Sequence, residues 1–127
     1  MTPVLALDYL RELSADIRDG VVLDAAGEQL AGEPALVPAA RELMAEMSAA
    51  TEAVGRTRAG VVLAARAGGL TIVLVCGPQA MPALGRHDMR LALGDLGAPS
   101  ETDTACATVP AALVERLLAE VRRDPGD

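Results

Sequence analysis

The stretch Gly20-Val21-Val22-Leu23-Asp24-Ala25-Ala26-Gly27-Glu28-Gln29-Leu30-Ala31 decides the fold. Asp24 to Gly27 is a turn between short apolar runs, which predicts a two-stranded hairpin, Val21–Leu23 against Glu28–Ala31. Before it, Leu5, Tyr9, Leu10, Leu13 and Ile17 recur at helical spacing, with Asp8, Arg11, Glu12 and Asp16 on the other side. That pattern predicts an amphipathic helix over Leu5–Ile17, ended by Asp19-Gly20. After it, Gly32-Glu33-Pro34 breaks the sheet and a second helix is expected from Pro38 to Ala53.

The second helix carries more apolar surface than one packing face needs. Ala40, Leu43, Met44, Met47 and Thr51 form one stripe, and Ala39, Ala45, Ala49 and Ala50 put small residues around the rest. Arg41, Glu42, Glu46 and Glu52 make the charged strip. A helix lying on a sheet needs a single apolar face, so the wide perimeter predicts a second covering surface. The helix propensity of alanine accounts for part of the same pattern.

Beyond Gly55 the chain reads as strands. Arg56-Thr57-Arg58 is short and polar, as an edge strand is. Gly60–Ala67 is followed by the turn signal Gly68-Gly69 and by Leu70–Cys76, β-branched and almost wholly apolar, as a central strand would be. A third helix is predicted over Pro82–Leu96, with Leu84, Met89, Ala92, Leu93 and Leu96 inward. Gly97–Thr108 reads as a loop of small, polar and acidic residues. Val109–Arg123 reads as a terminal amphipathic helix with Leu113, Leu117 and Val121 in register, and Asp124–Asp127 as a frayed end. The organisation is therefore one domain over residues 1–97, then an acidic loop and helix over 98–127. An isolated helix of that length is marginal in water, so it is expected to dock on its own domain or on a dimer mate, the alternative being a partner-binding arm that orders on contact.

Composition narrows the function. The chain has 127 residues, enough for one modest core, and 51% are hydrophobic while Tyr9 is the single aromatic. Without flat rings, stacking on bases or sugars has no platform. A formal net charge of −7, with Arg as the only cationic side chain besides His87, opposes a nucleic-acid partner. The start, Met1-Thr2-Pro3-Val4, lacks a basic, apolar leader, and no run approaches the roughly 20 apolar residues of a membrane span. Cys76 sits in an apolar run as a small buried thiol, and it and Cys106 are expected to stay reduced. These features predict a cytoplasmic protein without membrane insertion.

Catalytic and metal chemistry finds little purchase. His87 and Asp88 are adjacent on a helix and so point about 100° apart. Glu42 and Glu46 share a face but have no histidine to complete a metal site. Gly55-Arg56-Thr57-Arg58-Ala59-Gly60 lacks the Lys and Ser/Thr of a phosphate loop and leads into a strand. No serine is placed with a base. The expectation is a non-enzyme with no cofactor.

The order helix, hairpin, long helix, strands, helix resembles the Roadblock family, named for dynein light chains and including bacterial partners of Ras-like GTPases. The resemblance runs from about Leu5 to Leu96. It is carried by the opening hairpin with Asp24 and Gly27, by the Ala- and Met-bearing helix after it, and by Gly77-Pro78-Gln79-Ala80-Met81-Pro82-Ala83-Leu84-Gly85-Arg86, similar to the family's exit from its last strand. The resemblance implies an α/β (α+β) fold: a five-stranded antiparallel sheet sandwiched between helices, here with an extra C-terminal helix. It also implies a homodimer or heterodimer in which the long helices pack antiparallel and the middle strands pair edge to edge. The seam would then include Ala40, Leu43, Met44, Met47, Thr51, Arg56, Thr57 and Arg58. The partner it implies is a Ras-like small GTPase, with the chain as regulator or scaffold. A ligand-sensing domain and a purely structural assembly subunit are the competing readings.

Overall fold

The computed structural model describes residues 1–98 and 105–122. Half of the loop read over Gly97–Thr108, residues 99–104, and the end Asp124–Asp127 lie outside the described residues. The elements are α1 (Pro3–Leu13), β1 (Ile17–Leu23), β2 (Gln29–Gly32), a 3-10 turn (Pro34–Leu36), α2 (Val37–Met47), β3 (Glu52–Thr57), β4 (Gly60–Ala67), β5 (Leu70–Cys76), α3 (Pro82–Asp95), β6 (Cys106–Thr108) and α4 (Ala111–Arg122).

The opening hairpin is held as an Asx turn. The Asp24 Oδ1 accepts from the backbone N–H of Ala26 and of Glu28, each at 2.9 Å. Gly27 closes the turn at φ +83°, where a side chain would be strained. β1 starts earlier than the apolar run suggests. α1 ends at Leu13 with Ser14 already extended, and Ile17 pairs with Cys76 instead of continuing the helix.

The sheet has the order β2-β1-β5-β4-β3-β6. The first five strands pair antiparallel, as expected. The sixth is a finding: Cys106–Thr108, read as loop, pairs parallel to β3. Alternate residues divide the sheet between two cores. Val21, Leu23, Ala53, Val62, Ala64, Val73 and Val75 point to α2 and α4. Val22, Leu63, Ala65, Ile72, Leu74 and Cys76 point to α1 and α3. The sheet is thus sandwiched between two helical layers, and α4 belongs to one of them. Val109, Val114, Leu117 and Leu118 are almost wholly buried, each large aliphatic contributing about 1.5–3 kcal/mol by leaving water.

α2 is shorter than predicted, ending at Met47, because Arg66 of β4 terminates it. The guanidinium donates to the carbonyls of Met44, Ser48 and Ala50, taking up oxygens that have no helical partner at a C-terminus. Glu52 and Ala53, expected at the helix end, begin β3 instead. At the other face Gly85 lets α3 approach β4: a Cβ there would lie 2.4 Å from Leu63 Cδ1. Among the described residues no helix is long and apolar enough to cross a membrane.

Candidate functional site

The residues expected at a dimer seam fall into two groups. Ala40, Leu43 and Met47 are buried in the chain's own core, in one cluster with Leu113, Val114 and Leu117 of α4. Met44 is half-buried at the margin of that cluster. Thr51 is half-buried between α2 and β3, and its hydroxyl has no hydrogen-bond partner among the described residues. Arg56 and Thr57 end β3, and Arg58 lies in the turn after it. Of these three, Arg56 and Arg58 are exposed.

The free edge of β3 and one part of the apolar perimeter of α2 are met by the C-terminal segment, while Ala45 and Ala49 stay exposed. β6 lies beside β3 in the register Glu52↔Cys106, Ala53↔Ala107, Val54↔Thr108. The Ala105 carbonyl accepts from the N–H of Thr51 at 3.0 Å and of Glu52 at 3.1 Å, and the Val109 N–H donates to the Val54 carbonyl at 2.9 Å. α4 then crosses β3 and β4 and lies beside α2. Its close approach needs two glycines. A Cβ on Gly55 would sit 2.5 Å from Val114 Cγ2 and 2.6 Å from Val109 Cβ, and one on Gly60 2.4 Å from the Cys76 carbonyl oxygen of β5 and 2.6 Å from Leu118 Cδ2. The pair Gly55 and Gly60, which superficially suggests a phosphate loop, is therefore a track for α4. Across the groove Arg116 of α4 donates to the Glu42 carboxylate of α2. Both side chains are about half exposed, so the pair adds little.

On the opposite face the same strand carries a charged cluster that periodicity assigned to a solvated helix strip. Glu52 is 1% exposed. Its carboxylate accepts from Arg86 Nε and from Arg90 Nε and Nη2, joining α3 to β3. Burial pushes the Glu52 carboxyl up, but the hydrogen bonds and charges of Arg90 and Arg86 outweigh it and hold the group below its ordinary value. Arg56, two residues along the same face from Val54, reaches the Ala80 carbonyl. The signal was present in the sequence: Glu52, Val54 and Arg56 alternate as a strand does, and Arg86 and Arg90 are spaced i, i+4.

α1 and α3 also carry exposed large apolar residues. Val4, Leu5 and Leu13 of α1, Leu84 and Leu91 of α3, and Met81 just before α3 are large apolar residues 45–66% exposed. His87 is exposed on α3 and Asp88 half-buried. Among the described residues no group of three or more His, Cys, Asp or Glu is placed to hold a metal. Cys76 and Cys106 are both free thiols, the first buried and the second exposed. What the structure presents is exposed apolar side chains on α1 and α3, and a sheet edge and helix flank closed by the chain's own C-terminus.

No family model matches the sequence, and no curated protein matches it. Solved structures do match the fold. A Roadblock/LC7 domain from Streptomyces avermitilis solved to 1.85 Å is 19% identical, with a TM-score of 0.60 over 72% of this chain and 94% of its own. A second Roadblock/LC7 domain structure from that organism is 12% identical, with a TM-score of 0.64 over 76% and 96%. MglB of Myxococcus xanthus is 13% identical, with a TM-score of 0.59 over 78% and 91%. The chain therefore has the Roadblock/LC7 fold. The similar domains are matched over nearly their whole length, while about a quarter of this chain has no counterpart in them.

Proposed function

We propose that this chain is a non-catalytic regulatory or scaffold module of the cytoplasm whose partner is a Ras-like small GTPase. The observation that carries the reading is the exposed apolar face of α1 and α3, on a fold shared with Roadblock/LC7 domains. Large aliphatics exposed to this degree on one pair of neighbouring helices mark a protein-binding surface. The GTPase itself comes from the family resemblance of the hairpin, the second helix and the Gly77–Arg86 segment. A homodimer through α2 and β3 belongs to the same reading, formed when the C-terminal segment leaves those elements.

Such a module regulates only by binding one nucleotide state better than the other. A tenfold preference corresponds to about 1.4 kcal/mol. The test is capture of small GTPases from native lysate on the immobilised full chain, followed by titration of the captured protein loaded with GDP or a non-hydrolysable GTP analogue. A preference of tenfold or more for one state is the expected result. Equal affinity for both states leaves a scaffold and removes the regulator. No GTPase in either state, together with a small molecule that co-purifies with the chain, replaces this reading with ligand sensing.

A further inference from the structure

We infer that the C-terminal arm, β6 with α4, is a built-in competitor for the surface through which two copies of this chain associate. The folded chain is accordingly a monomer with its own docking surface closed. The inference rests on the reading of α2 and β3 as a self-association surface and is independent of the GTPase.

Three observations converge on one occupant. First, the arm satisfies just what a partner would. It pairs the outer edge of β3 over Glu52–Val54 and buries Val109, Val114, Leu117 and Leu118 against the α2 side of the sheet. An edge strand stripped of it would present unpaired N–H and C=O groups beside an apolar floor. Second, the bared edge is complementary to itself. A two-fold axis sets two copies of β3 antiparallel. With the axis at Val54, Glu52 of each copy lies opposite Arg56 of the other, and Ala53 lies opposite Gly55. The second pair matches small residues on the face where the helices would meet, while the Glu52 carboxylate of the first stays with Arg86 and Arg90. Third, about a quarter of this chain has no counterpart in Roadblock/LC7 domain structures matched over 94% and 96% of their length. The sequence resemblance to the family ends near Leu96, and the residues that close the surface lie beyond it.

Tethering decides the competition. An occupant attached to the same chain acts at an effective concentration on the order of millimolar. A second copy present at about 10 micromolar, with comparable intrinsic affinity, is disfavoured roughly a hundredfold by that ratio. Whatever draws the arm away removes this factor.

Val114, wholly buried on the arm beside Gly55, supplies a selective test. Val114→Asp carries a carboxylate into that apolar contact from the arm's side and leaves β3 unchanged. Leu113→Asp is the second variant. Leu113 lines the groove with Glu42 and Glu46 of α2, so a carboxylate there meets two others. Both full-length variants are checked by circular dichroism, trypsin cleavage at Arg116 reports arm release, and sedimentation equilibrium reports mass.

Wild type is expected as a 13.0 kDa monomer at tens of micromolar, resistant at Arg116. The variants are expected to be cleaved at Arg116 and to sediment at twice the monomer mass at concentrations where wild type is a monomer. A synthetic peptide of residues 105–122 should return them to monomers. The inference is overturned by a wild-type dimer whose arm is protected, which means arms exchanged between copies. It is overturned equally by variants that release the arm and remain monomers, and by variants whose Arg116 stays protected. If a released variant gains GTPase binding without self-association, the surface belongs to the GTPase. Failure of the GTPase experiment alone leaves the sedimentation result unaffected.

Discussion

Glu52 and Arg90 are joined by two hydrogen bonds across 38 positions of sequence, one of them 2.9 Å from Arg90 Nη2 to Glu52 Oε1. The link fastens α3 to the first residue of β3, the strand whose outer edge receives the C-terminal arm. One residue thus has its side chain locked to the helical layer on one face while its N–H donates to Ala105. The position of the edge is fixed by the ion cluster behind it.

That asymmetry gives the first prediction. Replacing both Arg86 and Arg90 with Ala leaves a carboxylate that is 1% exposed without compensation, a loss of about 3–5 kcal/mol. Glu52→Ala leaves two guanidinium groups whose side chains are 24% and 34% exposed and which turn to water, a loss of about 1–3 kcal/mol. Urea denaturation measures both, and the reverse order contradicts the burial of Glu52.

Acid should loosen the same joint. The Glu52 carboxyl is held below its ordinary value in the folded chain, so its contribution is complete above the unfolded value of about 4.3. It is lost as pH falls through the lower folded value. The urea midpoint of wild type is expected to fall more steeply below about pH 4.3 than that of Glu52→Gln. Parallel curves would remove Glu52 from the account.

At the alkaline end Cys76 dominates. Burial, with some help from the Asp16 charge and against that of Arg18, pushes its thiol up to about 12 from 9.0. The unfolded chain releases this proton above pH 9 while the folded chain keeps it, so stability falls as pH rises between these values. The slope is about 1.4 kcal/mol per pH unit. Cys76→Ala, followed by thermal denaturation from pH 8 upward, should flatten that slope; equal slopes would show another group responsible.

Much of the fold was legible because its signals are local. Asp24 and Gly27 fix a turn among themselves, Gly68-Gly69 does the same, and the β-branched run Leu70–Cys76 has the composition of a strand covered on both faces. What escaped depends on distant residues. Nothing next to Met47 ends α2, since the group that caps it is Arg66 in β4, and Ser48 takes φ +54° without being Gly or Asn. Glu52 fits a helix strip by spacing, and its strand role follows from partners in α3. Cys106–Thr108 is a three-residue strand whose register is set by β3, with no turn of its own to mark it. Of the wide apolar perimeter read on the second helix, α4 helps to cover the face of Ala40, Leu43 and Met47, while Ala45 and Ala49 stay exposed.

Met47 tests that cover directly. Its side chain is 2% exposed within this chain, so Met47→Asp places a charge in the core of the monomer. The expected loss is at least about 3 kcal/mol, independent of protein concentration. A folded Met47→Asp protein that differs from wild type only in association would instead place Met47 at the surface.

The last prediction separates the two apolar helical faces. Leu118 of α4 is 1% exposed, and Leu91 of α3 is 48% exposed. Leu118→Ala leaves a cavity and is expected to cost about 2–5 kcal/mol, whereas Leu91→Ala should change stability by under about 0.5 kcal/mol. Partner binding should show the opposite pattern. If the α1–α3 face receives the GTPase, Leu84→Ala and Leu91→Ala each weaken capture by about 1–2 kcal/mol, roughly five- to thirtyfold, with the melting temperature unchanged. Leu118→Ala, at temperatures where it stays folded, leaves the affinity of that face as it was. Thermal melts and a binding titration on the same preparations read both quantities. Loss of capture through Leu118 with capture intact in the α3 variants would move the binding surface to the C-terminal arm.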